Sequence, residues 1–164
     1  MHTCLVTPAT VALDAAGVTY AVHEYDRSEE LRGFGTQAAE QLGLDPDQVF
    51  KTLLVQVEGG AAPSDPVVVI VPVSSSVSMK AAAAAVGGKK ATLCDPASAE
   101  RITGYVVGGI SPIGQRKPLV TIIDATVQRF DMIYVSGGRR GLEISLVPGA
   151  LIKLLAAQVA DITS

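Results

Sequence analysis

Lys51 is the residue whose type and position point most directly to chemistry. It opens the segment Lys51–Val57, in which side chains are predicted to alternate between the two faces of a strand. Lys51 then shares a face with three aliphatic residues, which are Leu53, Val55 and Val57. An ammonium group at the edge of an apolar face can hold an anionic or carbonyl oxygen in a pocket. It can equally be a snorkelling lysine, whose stem covers apolar surface while its charge stays in water.

Two glycine-rich segments could present backbone N–H groups to negative charge. Residues 108–114 read Gly-Gly-Ile-Ser-Pro-Ile-Gly, and residues 136–141 read Ser-Gly-Gly-Arg-Arg-Gly. Glycine permits conformations that turn successive N–H groups to one side, and the arginines add donors that suit phosphate. Both segments can instead be ordinary turns. On the strand that follows, Glu143 lies on the face opposite to the apolar side chains, where it either orients a water molecule or a donor or is simply exposed.

Composition excludes several functional classes. The chain has 164 residues, a net charge of −3, 4% aromatic residues and no tryptophan, which argues against general nucleic-acid affinity and against base stacking. His2 and His23 are the only imidazoles, and Cys4 and Cys94 form no CxxC pair, so no metal site is expected. The longest apolar run, residues 67–73, is far shorter than the roughly 20 residues that span a membrane. Without a secretory signal and with unpaired cysteines, the protein is predicted to be cytoplasmic.

Capping residues and periodicity predict the elements that position these side chains. The predicted helices begin at Thr7, Thr36, Ser78, Asp95 and Pro148, and end at Gly17, Gly43, Val86, Gly104 and Val159. The predicted strands are Val18–Tyr25, Lys51–Val57, Val67–Val73, Tyr105–Val107, Val120–Asp124, Met132–Val135 and Leu142–Leu146. Strands and helices are mixed without regular alternation. This pattern favours an α+β fold for residues 1–164 as a single domain, with a mixed sheet partly closed into a barrel and flanked by helices.

Four segments give the chain a recognisable resemblance. They are residues 45–55 (DPDQVFKTLLV), 103–115 (TGYVVGGISPIGQ), 133–138 (IYVSGG) and 140–142 (RGL). In this order they closely resemble the YbaK/EbsC family, and within it the Cys-tRNA(Pro) deacylase branch. The resemblance covers nearly the whole chain, from about Thr7 to Ile162. It implies a mixed sheet with flanking helices and no metal or organic cofactor.

The resemblance also implies an activity and a set of site residues. Members are expected to cleave, in trans, the ester that joins a wrong amino acid to the tRNA 3′ end, with Cys-tRNA(Pro) as the main substrate and Cys-tRNA(Cys) as a second one. For cysteine, attack by the substrate's own thiol would give a cyclic thiolactone. Lys51 and the glycine-loop residues Gly108, Gly109 and Gly114 are expected to serve catalysis. The residues expected to bind substrate are Tyr25, Phe34, Thr52, Ile110, Ser111, Pro112, Ser136, Gly137 and Glu143. At position 143, relatives are expected to carry aspartate.

Three functional hypotheses remain open at this point. The first is a deacylase for Cys-tRNA(Pro), whose partners would be the mischarged tRNA and prolyl-tRNA synthetase. The second keeps the enzyme but changes its substrate to Ala-tRNA(Pro). The third is a module that binds aminoacyl-tRNA or a synthetase without catalysis. Deacylation assays on differently charged tRNA(Pro) separate the three.

Overall fold

The computed structural model describes residues 6–25 and 34–164, with the side chains of residues 34–37 outside that description. Its α-helices are α1 (Pro8–Ala16), α2 (Phe34–Leu42), α3 (Met79–Ala85), α4 (Pro96–Thr103) and α5 (Pro148–Leu155), and a short 3-10 helix spans Ala125–Arg129. Its strands are β1 (Ala21–Glu24), β2 (Phe50–Glu58), β3 (Val67–Pro72), β4 (Lys90–Leu93), β5 (Thr121–Asp124), β6 (Ile133–Ser136), β7 (Leu142–Leu146) and β8 (Gln158–Ala160).

Helix α1 shows how closely the capping residues determine the helix bounds. The Thr7 hydroxyl accepts from the Thr10 N–H, and Pro8 occupies the first helical position, where a missing N–H costs nothing. Gly17 closes the helix in the left-handed conformation, at φ 69°. The Asp95 carboxylate likewise caps α4 through the Ser98 N–H. The predicted starts and ends of these two helices are confirmed.

A five-stranded mixed sheet in the order β4-β2-β3-β5-β8 forms one layer. Strand β2 is antiparallel to β3 and β4, whereas β5 is parallel to β3 and to β8. All six residues of β3 are buried, and the first five, residues 67–71, alternate between two apolar clusters on opposite faces of the sheet. A strand covered on both faces needs apolar residues throughout, which explains its unbroken run of valine and isoleucine.

A second, three-stranded sheet in the order β1-β7-β6 carries the polar residues of interest. Glu143 on β7 lies directly opposite His23 on β1 and Ser136 on β6. Residues opposite one another in an antiparallel pair share a face, so these three side chains lie on the same side of the sheet. The other side is apolar and buries Ile133, Val135 and Ile144 in the larger cluster.

The predicted mixed sheet is confirmed, whereas its partial closure into a barrel is not found. The described strands form two open sheets, joined at an isolated parallel bridge between Val49 and Tyr134. The Tyr134 N–H donates to the Gln48 carbonyl at 3.1 Å beside this bridge. Beyond this bridge, a cavity lined by residues of β2, β6 and β7 lies between the two sheets.

Two other predicted elements differ most from the structure, and strands β4 and β8 were not predicted. Residues 105–107 form a loop rather than a strand, because the Val107 N–H donates to the Glu100 carboxylate at 2.8 Å instead of to a neighbouring strand. The last helix ends at Leu155, since Ala156 adopts the left-handed conformation at φ 50° and releases the chain into β8. Strand β4 carried no recognised signal in its Lys-Ala-Thr-Leu sequence.

Gly114 provides a test of how tightly the loop of residues 108–114 packs on α1. Its φ is +70°, and a Cβ there would overlap the Pro8 carbonyl oxygen. Gly17 has nearly the same φ, +69°, but open space around the Cβ position. Gly17→Ala therefore reports the conformational cost alone, about 1 kcal/mol. We expect Gly114→Ala to lower the free energy of unfolding by about 3 kcal/mol in urea denaturation. Equal losses in the two variants would show that α1 moves aside freely.

Candidate active site

A cavity of about 310 Å³ lies between the two sheets and next to the glycine loop. Its walls come from five parts of the chain: the first half of β2, Val73 directly after β3, the segment from β4 into α4, the loop after residue 106, and the facing strands β6 and β7. The lining residues are Phe50, Lys51, Thr52, Leu53, Leu54, Val73, Leu93, Cys94, Pro96, Ala99, Val107, Gly108, Ile110, Ser136 and Glu143.

Six residues predicted to serve catalysis or binding line this cavity. They are Lys51, Thr52, Gly108, Ile110, Ser136 and Glu143. They lie far apart in the sequence and are brought together because β2 faces β6 and β7 across the gap between the sheets. Their individual roles remain predictions.

Lys51 is half-buried at the start of β2, in contact with the cavity. Burial lowers the pKa of its ammonium group. Within residues 6–25 and 34–164, no carboxylate forms an ion pair with it. A desolvated ammonium group that lacks a counter-charge favours the binding of an anionic or carbonyl oxygen. On the opposite face of β2, Thr52 and Leu54 are buried.

Glu143 and Thr52 contribute two polar atoms that have no protein partner. Glu143 is 5% exposed and Thr52 is 8% exposed. Neither the Glu143 Oε2 nor the Thr52 Oγ1 makes a hydrogen bond within the described part of the chain. Burial raises the pKa of Glu143 to about 8, so its carboxyl group is mostly protonated at neutral pH. Buried polar atoms without partners are costly, and two in one cavity indicate a polar ligand.

A row of polar side chains continues from Glu143 along the same face of the small sheet. The His23 Nε2 lies 2.8 Å from the Ser145 Oγ, and the His23 ring packs edge-on against Tyr134 with 5.3 Å between ring centroids. His23 is therefore a packed, hydrogen-bonded histidine. Ser145 shares a face with Glu143 because side chains alternate along β7, whereas only the register of β6 against β7 shows that Tyr134 lies there too.

The loop over the cavity is held by hydrogen bonds at both ends. The buried Tyr105 hydroxyl donates to the Ile113 carbonyl at 2.6 Å, and burial raises the pKa of Tyr105 to about 12. The Ile113 N–H donates to the Ser111 hydroxyl at 3.2 Å. Gly108 has φ +91°, a conformation that favours glycine. The loop therefore keeps one shape beside the cavity.

Five of the predicted residues support the cavity from behind its lining. Gly109 packs so closely on the turn after β6 that a Cβ would lie 2.7 Å from the Arg139 backbone. Ser111 and Pro112 are buried within the loop of residues 108–114, and Gly114 packs on α1. The Gly137 N–H donates to the Leu142 carbonyl at 2.8 Å, and its carbonyl accepts from the Thr7 hydroxyl at 2.6 Å.

The two predicted aromatic residues have different outcomes. Tyr25 lies outside this cavity, in a second recess lined by Glu24, Gln41, Arg139 and Gly141. There the Arg139 guanidinium forms an ion pair with the Glu24 carboxylate at 3.1 Å. The side chain of Phe34 falls outside the described residues.

Sequence reasoning missed the apolar wall of the cavity. Leu93, Cys94, Pro96 and Ala99 come from β4 and the start of α4. Burial, and then the nearby Asp95 carboxylate, raise the pKa of the Cys94 thiol. The capping pair Asp95-Pro96 was recognised, but nothing in its pattern showed that this helix start lies beside β2.

In the part of the chain that the structure describes, no group of three His, Cys, Asp or Glu side chains is arranged to hold a metal ion. Across the same residues, no helix combines the length and the apolar character needed to cross a membrane.

Comparison with known proteins places this geometry in a family. The aminoacyl-tRNA editing domain matches residues 30–154. A protein of Enterococcus faecalis, named as a candidate Cys-tRNA(Pro)/Cys-tRNA(Cys) deacylase, EbsC, is 35% identical over 147 residues, covering 90% of this chain and 87% of that protein. The Bacillus subtilis protein YwhH is 25% identical over 142 residues, covering 83% and 87%.

Solved structures share the fold. A candidate trans-editing enzyme for prolyl tRNA synthetase has a TM-score of 0.84 at 23% identity, covering 100% of this chain and 99% of that one. The protein APE2540 has a TM-score of 0.83 at 24% identity, covering 96% and 100%. At this identity the likeness concerns the fold alone. With the family match over residues 30–154 and the 35% identical relative, the resemblance seen in the motifs is confirmed, and the chain belongs to the aminoacyl-tRNA editing domain family.

Proposed function

We propose that this protein is a trans-editing deacylase that clears Cys-tRNA(Pro), and Cys-tRNA(Cys) as a secondary substrate, by cleaving the aminoacyl ester. One observation carries the proposal. In a chain of the editing family, a half-buried lysine without an ion-pair partner in the described residues lies in one cavity with two unpartnered buried polar atoms. An aminoacyl-tRNA end presents the complementary groups, which are phosphate and ribose oxygens, an ester carbonyl and an α-amino group.

Lys51 and the loop of residues 108–114 contact different oxygens of the substrate. Lys51 holds an oxygen of the 3′-terminal phosphate or ribose. The Gly108 N–H donates to no acceptor within residues 6–25 and 34–164, and Gly108 lines the cavity. It is therefore available to the ester carbonyl oxygen, on which negative charge develops as the tetrahedral intermediate forms. An N–H held in place before the reaction stabilises this charge without reorganisation.

Glu143 and Thr52 complete the site around the amino acid. The Thr52 Oγ1 and the Glu143 Oε2 are the unpartnered atoms in the wall, and Ser136 lies beside them. A protonated α-amino group bound there would favour the ionised form of Glu143, because an opposite charge offsets the desolvation that raises its pKa. Binding of the aminoacyl end then releases the Glu143 proton.

With Lys51 engaged on a substrate oxygen, the cavity offers no activated hydroxyl or thiol nucleophile among the described residues. Cys94 is its one lining cysteine, and burial keeps this thiol protonated by raising its pKa. The attacking group is therefore the thiol of the substrate cysteine or a water molecule. In thiol attack, the sulfur bonds to the ester carbon and the C–O bond to the ribose breaks. The thiol proton passes to the leaving 3′ oxygen, which gives a cyclic thiolactone and uncharged tRNA.

Selection of the tRNA is assigned to prolyl-tRNA synthetase, with residues 1–164 acting as one editing domain beside it. Two pairs of adjacent basic residues, Arg116-Lys117 and Arg139-Arg140, each contain a residue that forms an ion pair, Lys117 with Asp65 at 3.0 Å and Arg139 with Glu24 at 3.1 Å. Each acidic partner offsets one positive charge, which reduces the attraction of these residues for tRNA phosphates.

The experiment is a comparison of tRNA(Pro) charged with cysteine, serine, alanine or proline, incubated with purified protein in EDTA. Serine is the matched control for cysteine because it replaces only the sulfur by oxygen. A pocket that measures size alone separates such substrates by about 1–3 kcal/mol. We expect cysteine to be released at least about 1,000-fold faster than serine or alanine, which exceeds the roughly 10- to 200-fold that such a pocket provides. Faster release of alanine would assign the protein to Ala-tRNA(Pro). Binding without any deacylation would make it a non-catalytic module.

A further inference from the structure

Val107 is the residue before Gly108, and its backbone N–H and carbonyl each form a hydrogen bond with a charged side chain. Its N–H donates to the Glu100 Oε2 at 2.8 Å, and its carbonyl accepts from the Arg140 Nε at 2.7 Å. Glu100 lies on α4, and Arg140 lies in the turn between β6 and β7. Hydrogen bonds to charged groups are shorter and stronger than those between neutral groups, so both bonds restrain the backbone at this point.

The bond from Arg140 also determines where the next N–H points. The Val107 carbonyl and the Gly108 N–H belong to the same peptide unit, which is trans. In a planar trans peptide the C=O and the N–H point in opposite directions. Arg140 holds the carbonyl on one side, so the Gly108 N–H points to the other side, and both Val107 and Gly108 contact the cavity.

A second contact fixes the position of the loop of residues 108–114 relative to the turn between β6 and β7. At Gly109 a Cβ would lie 2.7 Å from the Arg139 Cα and 2.8 Å from the Arg140 nitrogen, so the two backbones touch. The Gly109 N–H donates to the Val106 carbonyl at 2.8 Å and closes the loop. The same turn joins Ser136 to Glu143, so one segment of chain supplies two cavity side chains and orients the loop opposite them.

We propose that Arg140 is a positioning residue for deacylation, which holds the 107–108 peptide so that the Gly108 N–H meets the oxyanion of the ester. Glu100 assists by fixing the preceding N–H. A guanidinium on a peptide carbonyl also polarises the peptide and makes its N–H a better donor. This inference rests on the proposed function, in which the Gly108 N–H receives the charge.

The first test compares kinetics of Arg140→Met, which removes the donor, with Arg140→Gln, which keeps an uncharged donor at similar reach. We expect Arg140→Met to lower kcat for Cys-tRNA(Pro) by about 10- to 100-fold with KM within about threefold, since the loss of a whole oxyanion donor costs about 10²–10³. Arg140→Gln should recover part of the loss. Arg129→Met, which removes an exposed arginine elsewhere, is the charge-matched control and should retain wild-type kcat.

The second test needs no turnover. The ¹⁵N–¹H resonance of Gly108 should move upfield in Arg140→Met, while that of Gly17 stays in place. A wild-type kcat in Arg140→Met overturns the proposal, and so does a fall in kcat without a shift at Gly108. If Arg140→Met does not fold, its place is taken by Arg140→Gln and by two variants of Glu100. Glu100→Ala should remove the hydrogen bond from the Val107 N–H, and Glu100→Gln should restore it. A wild-type protein inactive on every tRNA would refute the proposed function, and the Gly108 resonance would still report on the peptide.

Discussion

Replacing Lys51 with methionine is expected to reduce the deacylation of Cys-tRNA(Pro) by at least about 100-fold while leaving the fold intact. Methionine keeps an unbranched stem against the apolar wall and removes only the ammonium group. If Lys51 holds a substrate oxygen in this desolvated cavity, its loss removes a charge-assisted contact where such contacts are strongest. Initial rates at saturating and limiting tRNA would separate an effect on kcat from an effect on KM.

The stability of the same variant distinguishes this interpretation from a snorkelling lysine. Burial lowers the pKa of Lys51, which means that folding disfavours its charged form. Removing the charge should therefore leave the urea midpoint unchanged or raise it. Lys80→Met, at an exposed lysine at the start of α3, is the matched control and should behave as wild type in both assays. Full activity in Lys51→Met would remove Lys51 from the site.

Glu143 is expected to make the protein less stable as the pH rises from 4.5 to 8. The pKa of its carboxyl is raised from 4.5 to about 8 by burial, so between these values the folded protein holds a proton that the unfolded chain has lost. Stability then falls with rising pH, by at most about 1.4 kcal/mol per pH unit. Glu143→Gln keeps the shape and cannot ionise, so we expect its stability to exceed that of wild type increasingly towards pH 8.

Urea unfolding of both proteins at pH 5, 6, 7 and 8 measures this difference directly. Other titrating groups are common to the two proteins and cancel in the comparison. Glu40→Gln, at an exposed glutamate on α2, controls for the loss of a surface charge and should follow the wild-type curve. A constant difference between wild type and Glu143→Gln across this range would show that Glu143 does not titrate there.

Residue type was sufficient to identify the polar part of the cavity. Lys51 stood out because a charge at the start of an apolar strand is unusual, and residues 108–114 because three glycines and a proline restrict a loop. The resemblance to a family added Thr52 and gave Ser136 and Glu143 an expected role in substrate binding. Such signals are local, and each can be read from a few consecutive residues.

The remaining features depend on contacts between distant segments. Leu93 and Cys94 lie in the wall because β4 pairs with β2, and the polar-apolar alternation of Lys-Ala-Thr-Leu in β4 spans only four residues, which is a weak signal for a strand. Ala156 ends α5 in a conformation usually taken by glycine, so the sequence favoured a longer helix. The packing of Gly109 on the Arg139 backbone depends on two loops meeting, which no periodicity encodes.

The isolated bridge between Val49 and Tyr134 has a consequence for how selectivity could evolve in this scaffold. Lys51 and Thr52 belong to one sheet, while Ser136 and Glu143 belong to the other, so the width of the cavity equals the spacing of two layers that share little hydrogen bonding. A larger or smaller side chain buried behind either sheet would change the distance between the sheets and therefore the size of the cavity. Preference among amino acids can therefore drift through substitutions that never touch the bound ester.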